Sequence, residues 1–317
     1  MVLPPRRLLL AGEAIVDLVM RVPALPIPGG DLLADSSAVA VGGGFNVMAA
    51  AARQGMPVRY AGGHGTGPWG DLVRAALAAE GIKPLRQPDP EADTGFDVAF
   101  VQPDAERTFV TSVGAETHPG GWDRIAVEPG DAVYVSGYGL VPPPAGGVDG
   151  GLAAGLAAGL DGGLGEWAAA LPGGVLVFAD PGPLVADIPA ATLDALLARC
   201  DWWSCNQREA ALMTGSEDPV AAARQLLRRT RAVLVRMGAL GCVVATADDL
   251  VTVPAPSVDV VDTTGAGDAH AGVFLAGLWD GLDPASAARR ANAAAALAVT
   301  RDGPATAPSR RELDNFG

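Results

Sequence analysis

Hydrophobic and polar positions along the chain form two arrangements, and each predicts a different kind of structure. In the first 113 residues, two helical patterns lie between extended apolar runs such as "RRLLLA" and "AIVDLVMRV", and alternating positions predict a hairpin over 96–113. From residue 131 onwards, apolar runs of strand length, such as "DAVYVS" and "VLVFAD", alternate with helical patterns such as "ATLDALLARC". This alternation predicts an α/β fold, with a mostly parallel central sheet and helices on both faces.

The early extended runs do not fit this alternation, and they predict a second, small β-sheet. We expect about residues 15–41 and 95–113 to form it as a lid inserted twice into the α/β core. A further helix is predicted over 151–171, where leucines recur at helical spacing although glycines weaken the pattern (Leu152, Leu156, Leu160 and Leu164). No linker divides the chain, so residues 1–317 are expected to form one domain.

Charge and cysteine content restrict the partners and the compartment. The formal net charge of −14 disfavours nucleic acid and anionic membranes, because both would be repelled, although a small anionic ligand needs only a local positive potential. The three cysteines are odd in number and have no metal-binding spacing, as expected for a reduced protein. Glu13 and Asp17 interrupt the N-terminal apolar run before it reaches the length of a signal peptide or membrane span. We therefore expect a cytoplasmic protein.

The stretch "VVDTTGAGDAHAGVF", residues 260–274, is the strongest candidate site. "VDVV" predicts the end of a strand and "GDAHAGVFLAGL" a helix, so "TTGAG" would be the turn between them. A glycine-rich turn at a helix N-terminus exposes unpaired N–H groups and predicts an anion site. Asp268 in the first helical turn would repel a bound phosphate unless it accepts a proton from a hydroxyl that attacks the phosphorus. The alternative is an Asp that only stabilises the helix dipole.

Other motifs are weaker or absent. The single lysine, Lys83, is in no Gly-Lys-Ser/Thr context, so a P-loop is excluded. "GTGPWG", residues 65–70, matches G-x-G-x-x-G, but Pro68 and the lack of a following βαβ unit favour a tight turn over a dinucleotide site. The three histidines (His64, His118 and His270) have no i, i+4 spacing, and no G-x-S-x-G elbow is present.

Two polar positions allow both a structural and a functional interpretation. Asp17 lies in an apolar run, where a carboxylate is either an outward strand position or a site residue. Asn206 follows an apolar strand, with Glu209 three residues later, which is the pattern of an N-cap with a capping-box acid. From the residues alone, both interpretations stay open at each position.

Together these motifs resemble the ribokinase-like (PfkB) family of carbohydrate kinases. "DTTGAGD" (262–268) matches the family's C-terminal signature, and "GGGFN" with "AAAARQG" (42–55) is similar to its N-terminal signature. "NQRE" (206–209) resembles the Asn-x-x-Glu motif, and "RMGALG" (236–241) resembles the ATP loop. The resemblance implies an ATP-dependent kinase with Mg²⁺, which phosphorylates a primary hydroxyl of a sugar.

The resemblance also implies a role for individual residues. Asp268 would be the base, and Gly265, Ala266 and Gly267 would form an anion hole. The sugar would contact Asp17, Gly43, Gly44 and Asn46. ATP would contact Asn206, Glu209, Arg236, Gly238, Gly241 and Asn292, with Asn206 and Glu209 holding Mg²⁺ through water. A monovalent cation such as K⁺ would be held by Asp262, Thr264, Ala298, Arg301 and Gly303.

Departures from the family pattern lie mostly on the sugar side and leave the substrate open. Ile15 stands where ribokinase has a polar residue that touches the sugar, and Arg236 stands where ribokinase has threonine. Ala307 lacks a hydroxyl implied to help bind the cation. Ribose, fructose, a keto-deoxy sugar acid and a nucleoside remain candidates, as does a catalytically inactive sugar sensor. The lid resemblance further implies a homodimer that pairs two lids.

Overall fold

The computed structural model describes residues 4–103, 107–117, 120–141 and 163–316. The strands are β1 (Arg7–Ala11), β2 (Ala14–Arg21), β3 (Ser36–Gly43), β4 (Val58–Tyr60), β5 (Lys83–Pro84), β6 (Phe96–Val101), β7 (Arg107–Ser112), β8 (Asp131–Ser136), β9 (Leu176–Asp180), β10 (Trp202–Asn206), β11 (Val233–Arg236), β12 (Cys242–Ala245) and β13 (Leu250–Val253). The helices are α1 (Gly44–Arg53), α2 (Pro68–Ala79), α3 (Leu164–Ala169), α4 (Ala190–Arg199), α5 (Gln207–Thr214), α6 (Pro219–Leu226), α7 (Ala266–Trp279), α8 (Pro284–Ala298) and α9 (Arg310–Asp314).

Over the described residues, the large sheet has nine strands in the order β13-β12-β11-β10-β9-β8-β1-β4-β5. Every pairing from β5 to β11 is parallel, and β12 and β13 extend one edge as antiparallel strands. Successive strand residues point to opposite faces, so Leu8 and Leu10 join one buried cluster while Leu9 joins the other. The first cluster contains α1, α2 and α7–α9, and the second contains α3–α6. The predicted α/β fold is confirmed.

The remaining four strands form a separate sheet in the order β3-β2-β6-β7. Strand β2 runs antiparallel to β3 and parallel to β6, and β6 and β7 form the predicted hairpin. Val16 on β2 belongs to the buried cluster beside α2, so this face of the small sheet packs on the body of the protein. The opposite face carries Asp17 and Arg21, and it reaches the chain before α7, since Arg107 donates to the hydroxyls of Thr263 and Thr264.

Two sequence predictions differ from the structure or lie outside it. "VDVV" was expected to end a strand, which is wrong: β13 ends at Val253, and 254–262 are irregular. Pro254 and Pro256 interrupt any ladder there, and Val260 and Val261 are exposed instead of buried. In the described part of the segment 151–171, residues 163–171, the helix is α3, and Leu152, Leu156 and Leu160 lie outside the described residues. Among the helices of the described ranges, none is long and apolar enough to span a membrane.

Candidate active site

Polar side chains gather at one edge of the large sheet, where its parallel strands end. Asp180 is the last residue of β9, Asn206 of β10 and Arg236 of β11, so parallel pairing places all three at the same edge. The helix α7 begins at this edge, because a methyl group on Gly267 would lie 3.5 Å from Arg236 Nε. The carboxyl ends of the strands are where open α/β sheets bind ligands.

Asp268 occupies the first turn of α7. Gly265, the residue that precedes the helix, has a left-handed backbone (φ 70°), which places Asp268 as the third helical residue. Asn46, in the first turn of α1, donates from Nδ2 to Asp268 Oδ2 at 3.0 Å. Burial raises the pKa of Asp268 to about 6, although the hydrogen bond from Asn46 opposes the shift. Asp268 is therefore a carboxylate close to the pKa that suits a general base at neutral pH.

The start of α7 also presents backbone N–H groups beside this carboxylate, an arrangement suited to an anion. The first N–H groups of a helix have no partner within it, and the helix dipole adds positive potential there. Gly265, Ala266 and Gly267 supply this turn, and Arg236 lies against it from the sheet. The arrangement places hydrogen-bond donors, one guanidinium and one carboxylate within a single cleft.

Arg236 is held by a buried group of polar residues, here called the Arg236 cluster (Arg236, Asp180, Ser204 and Glu209). Its Nη1 donates to Asp180 Oδ2 at 2.5 Å and to Ser204 Oγ, and its Nη2 lies 3.9 Å from Glu209 Oε2. Burial opposes the charge of Arg236, but Asp180 and Glu209 outweigh it and hold its pKa above the ordinary value. Burial and the Asp180 charge raise the pKa of Glu209. With two carboxylates and one guanidinium, the cluster carries an excess negative charge when ionised.

Asn206 and Glu209 form the complete capping box that the sequence indicated as one of two readings. Asn206 Oδ1 accepts from Glu209 N at 2.8 Å, and Glu209 Oε2 accepts from Asn206 N at 2.7 Å. Asn206 Nδ2 also donates to Glu209 Oε1 at 2.7 Å. Each carboxylate oxygen keeps a second lone pair, and the excess negative charge of the Arg236 cluster suits a divalent cation held through water. The structural and the metal-binding roles are thus compatible.

The other residues assigned to ATP by resemblance occupy different environments. Gly238 has φ 58°, and a Cβ at this position would have no atom within 4 Å, so the backbone here is open to a ligand. Gly241 is explained by packing, because a Cβ there would lie 2.0 Å from Val253 O. Asn292 is buried, and its Nδ2 donates to Val253 O at 2.9 Å and Pro254 O at 3.2 Å, while Oδ1 contacts His270 Nε2. Both amide donors of Asn292 are therefore already used within the protein.

The side of the cleft formed by the small sheet is acidic. Burial and the neighbouring Asp97 and Asp268 charges raise the pKa of Asp17 to about 7.

The two glycines assigned to the sugar are required by the backbone at the start of α1. Gly43, which precedes α1, has φ 61°, and a Cβ on Gly44 would lie 2.6 Å from Glu13 O, so both positions require glycine.

Glu13 adds a further carboxyl, in the link between β1 and β2. It accepts from Ser136 Oγ at 3.1 Å, its Oε2 has no partner, and burial raises its pKa to about 7. The charge of Asp268 acts in the same direction, which places Glu13 near the base. Glu13 therefore belongs to the acidic side of the cleft.

The carboxylate assigned to a monovalent cation is already surrounded by donors. Asp262 Oδ1 accepts from Thr264 N and Oγ1, and Oδ2 accepts from Gly303 N. Arg107 Nη2 lies 3.8 Å from Oδ1 and Arg21 Nη2 lies 3.9 Å from Oδ2. These hydrogen bonds and Arg107 hold the pKa of Asp262 below its ordinary value although burial opposes the shift.

One of the carbonyl groups assigned to the same cation, that of Ala298, is also in use. Ala298 O accepts from Arg301 N and from Thr306 Oγ1, each at 3.1 Å. Because two arginines already neutralise Asp262, these side chains do not fit a resident monovalent cation. The K⁺ site therefore stays a prediction of the resemblance, and the K⁺ dependence of turnover tests it.

"GTGPWG" has a structural explanation. The N–H groups of Trp69 and Gly70 at the start of α2 donate to the carboxylate of Asp93 at 3.1 and 2.7 Å. A Cβ on Gly65 would lie 2.2 Å from Ala92 O. The start of α2 is therefore capped by the protein itself, and the tight-turn interpretation holds.

Four residues of the cleft were not identified from the sequence: Glu13, Asp97, Asp180 and Ser204. Asp180 offered a usable signal, because an acid that ends a buried parallel strand lies at the ligand-binding edge. Asp97 offered none, because a single acid in an alternating strand of a hairpin is typical of a solvent-facing position.

Comparison with known proteins agrees with this geometry. The model of pfkB family carbohydrate kinases matches residues 6–162 and 164–310. The uncharacterized sugar kinase YegV of Escherichia coli K12 is 34% identical over 316 residues, which cover 96% of this chain and 92% of that protein. Ribokinase of Haemophilus influenzae is 28% identical over 325 residues, covering 98% of each chain.

Solved structures share the fold. Ribokinase of Thermotoga maritima has a TM-score of 0.79 at 22% identity and covers 98% of both chains. Ribokinase of Arabidopsis thaliana, complexed with ribose and ATP, has a TM-score of 0.74 at 22% identity and covers 99% of this chain and 98% of that one. At these identities the structures support the fold alone, whereas the family match extends along almost the entire sequence. The chain belongs to the pfkB family of carbohydrate kinases, phosphotransferases that act on an alcohol group of a sugar.

Proposed function

We propose that the protein transfers the γ-phosphoryl group of ATP to a primary hydroxyl of a sugar. One observation carries the proposal: a half-buried carboxylate, Asp268, with its pKa raised to about 6, lies in the first turn of a helix whose N-terminus adjoins Arg236. A base and an anion site in contact are what an in-line attack by a hydroxyl on a phosphate requires.

Each group then has a defined role in the transfer. The acceptor hydroxyl donates to Asp268, which takes its proton as the oxygen attacks the phosphorus. Asn46 orients the carboxylate by donating to Oδ2, so the other oxygen faces the acceptor. The N–H groups of Gly265, Ala266 and Gly267, with Arg236 behind them, stabilise the charge that develops on the transferring phosphoryl group.

The ATP phosphates would lie between the Arg236 cluster and the start of α7. Asn206 and Glu209 would hold Mg²⁺ through water, and the open backbone at Gly238 would accept part of the nucleotide. When bound, Mg²⁺ neutralises charge on the β- and γ-phosphate oxygens. ATP as the donor is supported by the resemblance of the motifs and by the ATP in the Arabidopsis ribokinase complex.

Two other functions are less well supported. A sugar sensor without catalysis would need no base beside an anion site, yet Asp268 is held in place by Asn46. A kinase for a sugar acid would need a cation near the acceptor, but the acceptor side presents Glu13, Asp17 and Asp97. A nucleoside acceptor is compatible with these carboxylates and is retained in the test.

The test is ADP release in the presence of Mg-ATP with single acceptors: D-ribose, D-fructose, 2-keto-3-deoxygluconate and inosine. A neutral sugar is expected to raise ADP release at least tenfold over the rate without acceptor, with a stoichiometric sugar phosphate as product. ATP binding without ADP release on any acceptor of the panel would contradict the kinase and favour the sensor.

The same assay with K⁺ replaced by tetramethylammonium is expected to change kcat/KM less than about twofold, since Arg21 and Arg107 already neutralise Asp262. A larger K⁺ activation would restore the cation site that the sequence predicted.

The small sheet is proposed to be the lid of a single kinase domain and the contact of a homodimer. Strands β3 and β7 are its open edges, and apolar side chains are exposed on them, including Val39 and Val110. Sedimentation is expected to give about twice the chain mass of 31.9 kDa, and Val110→Glu to shift it towards the monomer. A monomeric wild type at micromolar concentration would contradict the dimer.

A further inference from the structure

The small sheet carries two carboxylates side by side on the face that looks into the cleft. Asp17 on β2 and Asp97 on β6 are directly opposite in the parallel pairing of these strands. Neighbouring strands lie about 4.8 Å apart, and opposite residues point to the same face. Because Asp17 is influenced by the charges of both Asp97 and Asp268, the two carboxylates and the base share one region. We call Asp17 and Asp97 the carboxylate pair.

The carboxylate pair is buried and lacks protein partners. The residues are 8% and 7% exposed, and Asp97 Oδ1 is a buried oxygen without a hydrogen-bond partner. Gly42 on β3, which pairs with Ile15, leaves the space that the Asp17 side chain fills, since a Cβ on Gly42 would lie 2.1 Å from Asp17 Oδ2. Leaving a buried carboxylate oxygen unpaired costs the full desolvation of that group. Such an orphan is explained when a ligand supplies the missing donor.

The charges around the pair restrict what that ligand is. Burial raises the pKa of Asp97 to about 6, and no guanidinium in the described part of the chain lowers the pKa of either member of the pair. The nearest arginines on the same face, Arg21 and Arg107, are engaged with Asp302, Thr263 and Thr264. An anionic group placed here would meet only like charge.

We propose that Asp97 is a second acceptor-binding residue, which acts with Asp17 to accept hydrogen bonds from two neighbouring hydroxyls of a neutral polyhydroxylated acceptor. This rests on the proposed kinase function and narrows its substrate class. Hydroxyls on adjacent carbons donate to two carboxylates one strand apart, and each bond satisfies an oxygen that the protein leaves free. A sugar acid or a phosphosugar is rejected, because its charge would face the pair without a counterion.

The experiment compares Asp97→Ala, Asp97→Asn and wild type on the neutral sugar of highest kcat/KM in the panel and on 2-keto-3-deoxygluconate. Asp97→Ala is expected to raise the KM for the neutral sugar about 10- to 100-fold while kcat and the KM for ATP stay within about threefold. Asp97→Asn, which retains an acceptor oxygen, is expected to lose less. In both variants the preference for the neutral sugar over the sugar acid should fall at least tenfold.

Thermal unfolding separates this role from a structural one. Removing an unpaired buried carboxylate is expected to leave the Tm unchanged or higher, whereas a structural Asp97 would give a lower Tm with the acceptor KM unchanged. Asp35→Asn is the matched control, since Asp35 is an exposed acid directly before β3, and its kinetics should equal those of wild type.

Three outcomes overturn the proposal. An unchanged acceptor KM in Asp97→Ala removes Asp97 from the site while the kinase stands. A wild-type preference for the sugar acid refutes the neutral acceptor while the kinase again stands. A wild type that phosphorylates nothing in the panel removes the kinase function and this inference together.

Discussion

Asp268→Asn is expected to lower kcat about 10³-fold or more while leaving ATP affinity within about twofold. General-base catalysis contributes about 10²–10⁴ to a rate, and the amide cannot take the proton. The amide oxygen can still accept from Asn46, so the start of α7 should keep its geometry. Single-turnover kinetics with Mg-ATP and saturating acceptor measure the chemical step, and nucleotide titration measures ATP binding. Turnover within tenfold of wild type would remove Asp268 from the role of base.

A matched substitution controls for the general effect of losing one negative charge. Asp248 is exposed in the turn between β12 and β13, and β12 runs antiparallel to β11, so this turn lies at the opposite end of the sheet from Arg236. Asp248→Asn is expected to match wild type in kcat and in both KM values. The comparison separates the effect of losing the carboxylate at position 268 from the general effect of losing one negative charge.

The pH profile provides an independent readout of the same residue. Since burial raises the pKa of Asp268 to about 6 and the base acts when deprotonated, kcat should fall as pH drops through about 6, tenfold per unit below it. The acceptor is kept at a saturating concentration, so that weaker acceptor binding on protonation of the carboxylate pair does not affect the measured kcat. In Asp268→Asn this acidic limb should disappear. A limb that persists in the variant would belong to another group.

The parts of the site that could be predicted from the sequence are those that a short segment determines. The turn before α7 needs glycine at Gly265, where φ is 70°, and the capping box joins Asn206 to Glu209 within one turn. Both are local, so the motif alone places them. The strands of the small sheet were likewise predicted from alternation and glycine breaks, whereas β13 was missed although it is as long as β12.

The parts that could not be predicted depend on register between distant segments. Asp97 meets Asp17 only because β6 pairs with β2 in one particular alignment, and a shift by one residue would turn Asp97 to the opposite face. Asp180 meets Arg236 through strands that are not consecutive in the chain. The conflict between Arg107 and a K⁺ ion at Asp262 has the same origin, since the arginine comes from the small sheet.

The two sides of the cleft differ in how they balance charge. On the phosphate side, Arg236 compensates Asp180 within the protein. On the acceptor side, Glu13, Asp17 and Asp97 have raised pKa values, first through burial, and no guanidinium compensates the carboxylate pair in the described residues. In the proposed mechanism, the start of α7 and a divalent cation at Glu209 would offset the remaining negative charge of the first side, so that anionic phosphates bind there and neutral hydroxyl groups bind at the second side.

Arg236→Met is expected to be the most destabilising single change in the site. The guanidinium is largely buried and bonded to Asp180 and Ser204, and removing one partner of a buried ion pair costs about 3–5 kcal/mol of unfolding free energy. Methionine keeps most of the volume, so the loss reports charge more than a cavity. Activity should fall about 10²-fold as well, because the anion site loses its guanidinium. Urea unfolding followed by circular dichroism at pH 7.5 measures the first effect.

The double variant Arg236→Met with Asp180→Asn tests whether the cost arises from the unpaired carboxylate. If so, the second substitution should recover about half of the lost stability or more, while activity stays low because the guanidinium is still missing. Additive losses in the double variant would contradict the ion pair and assign the effect to packing around α7.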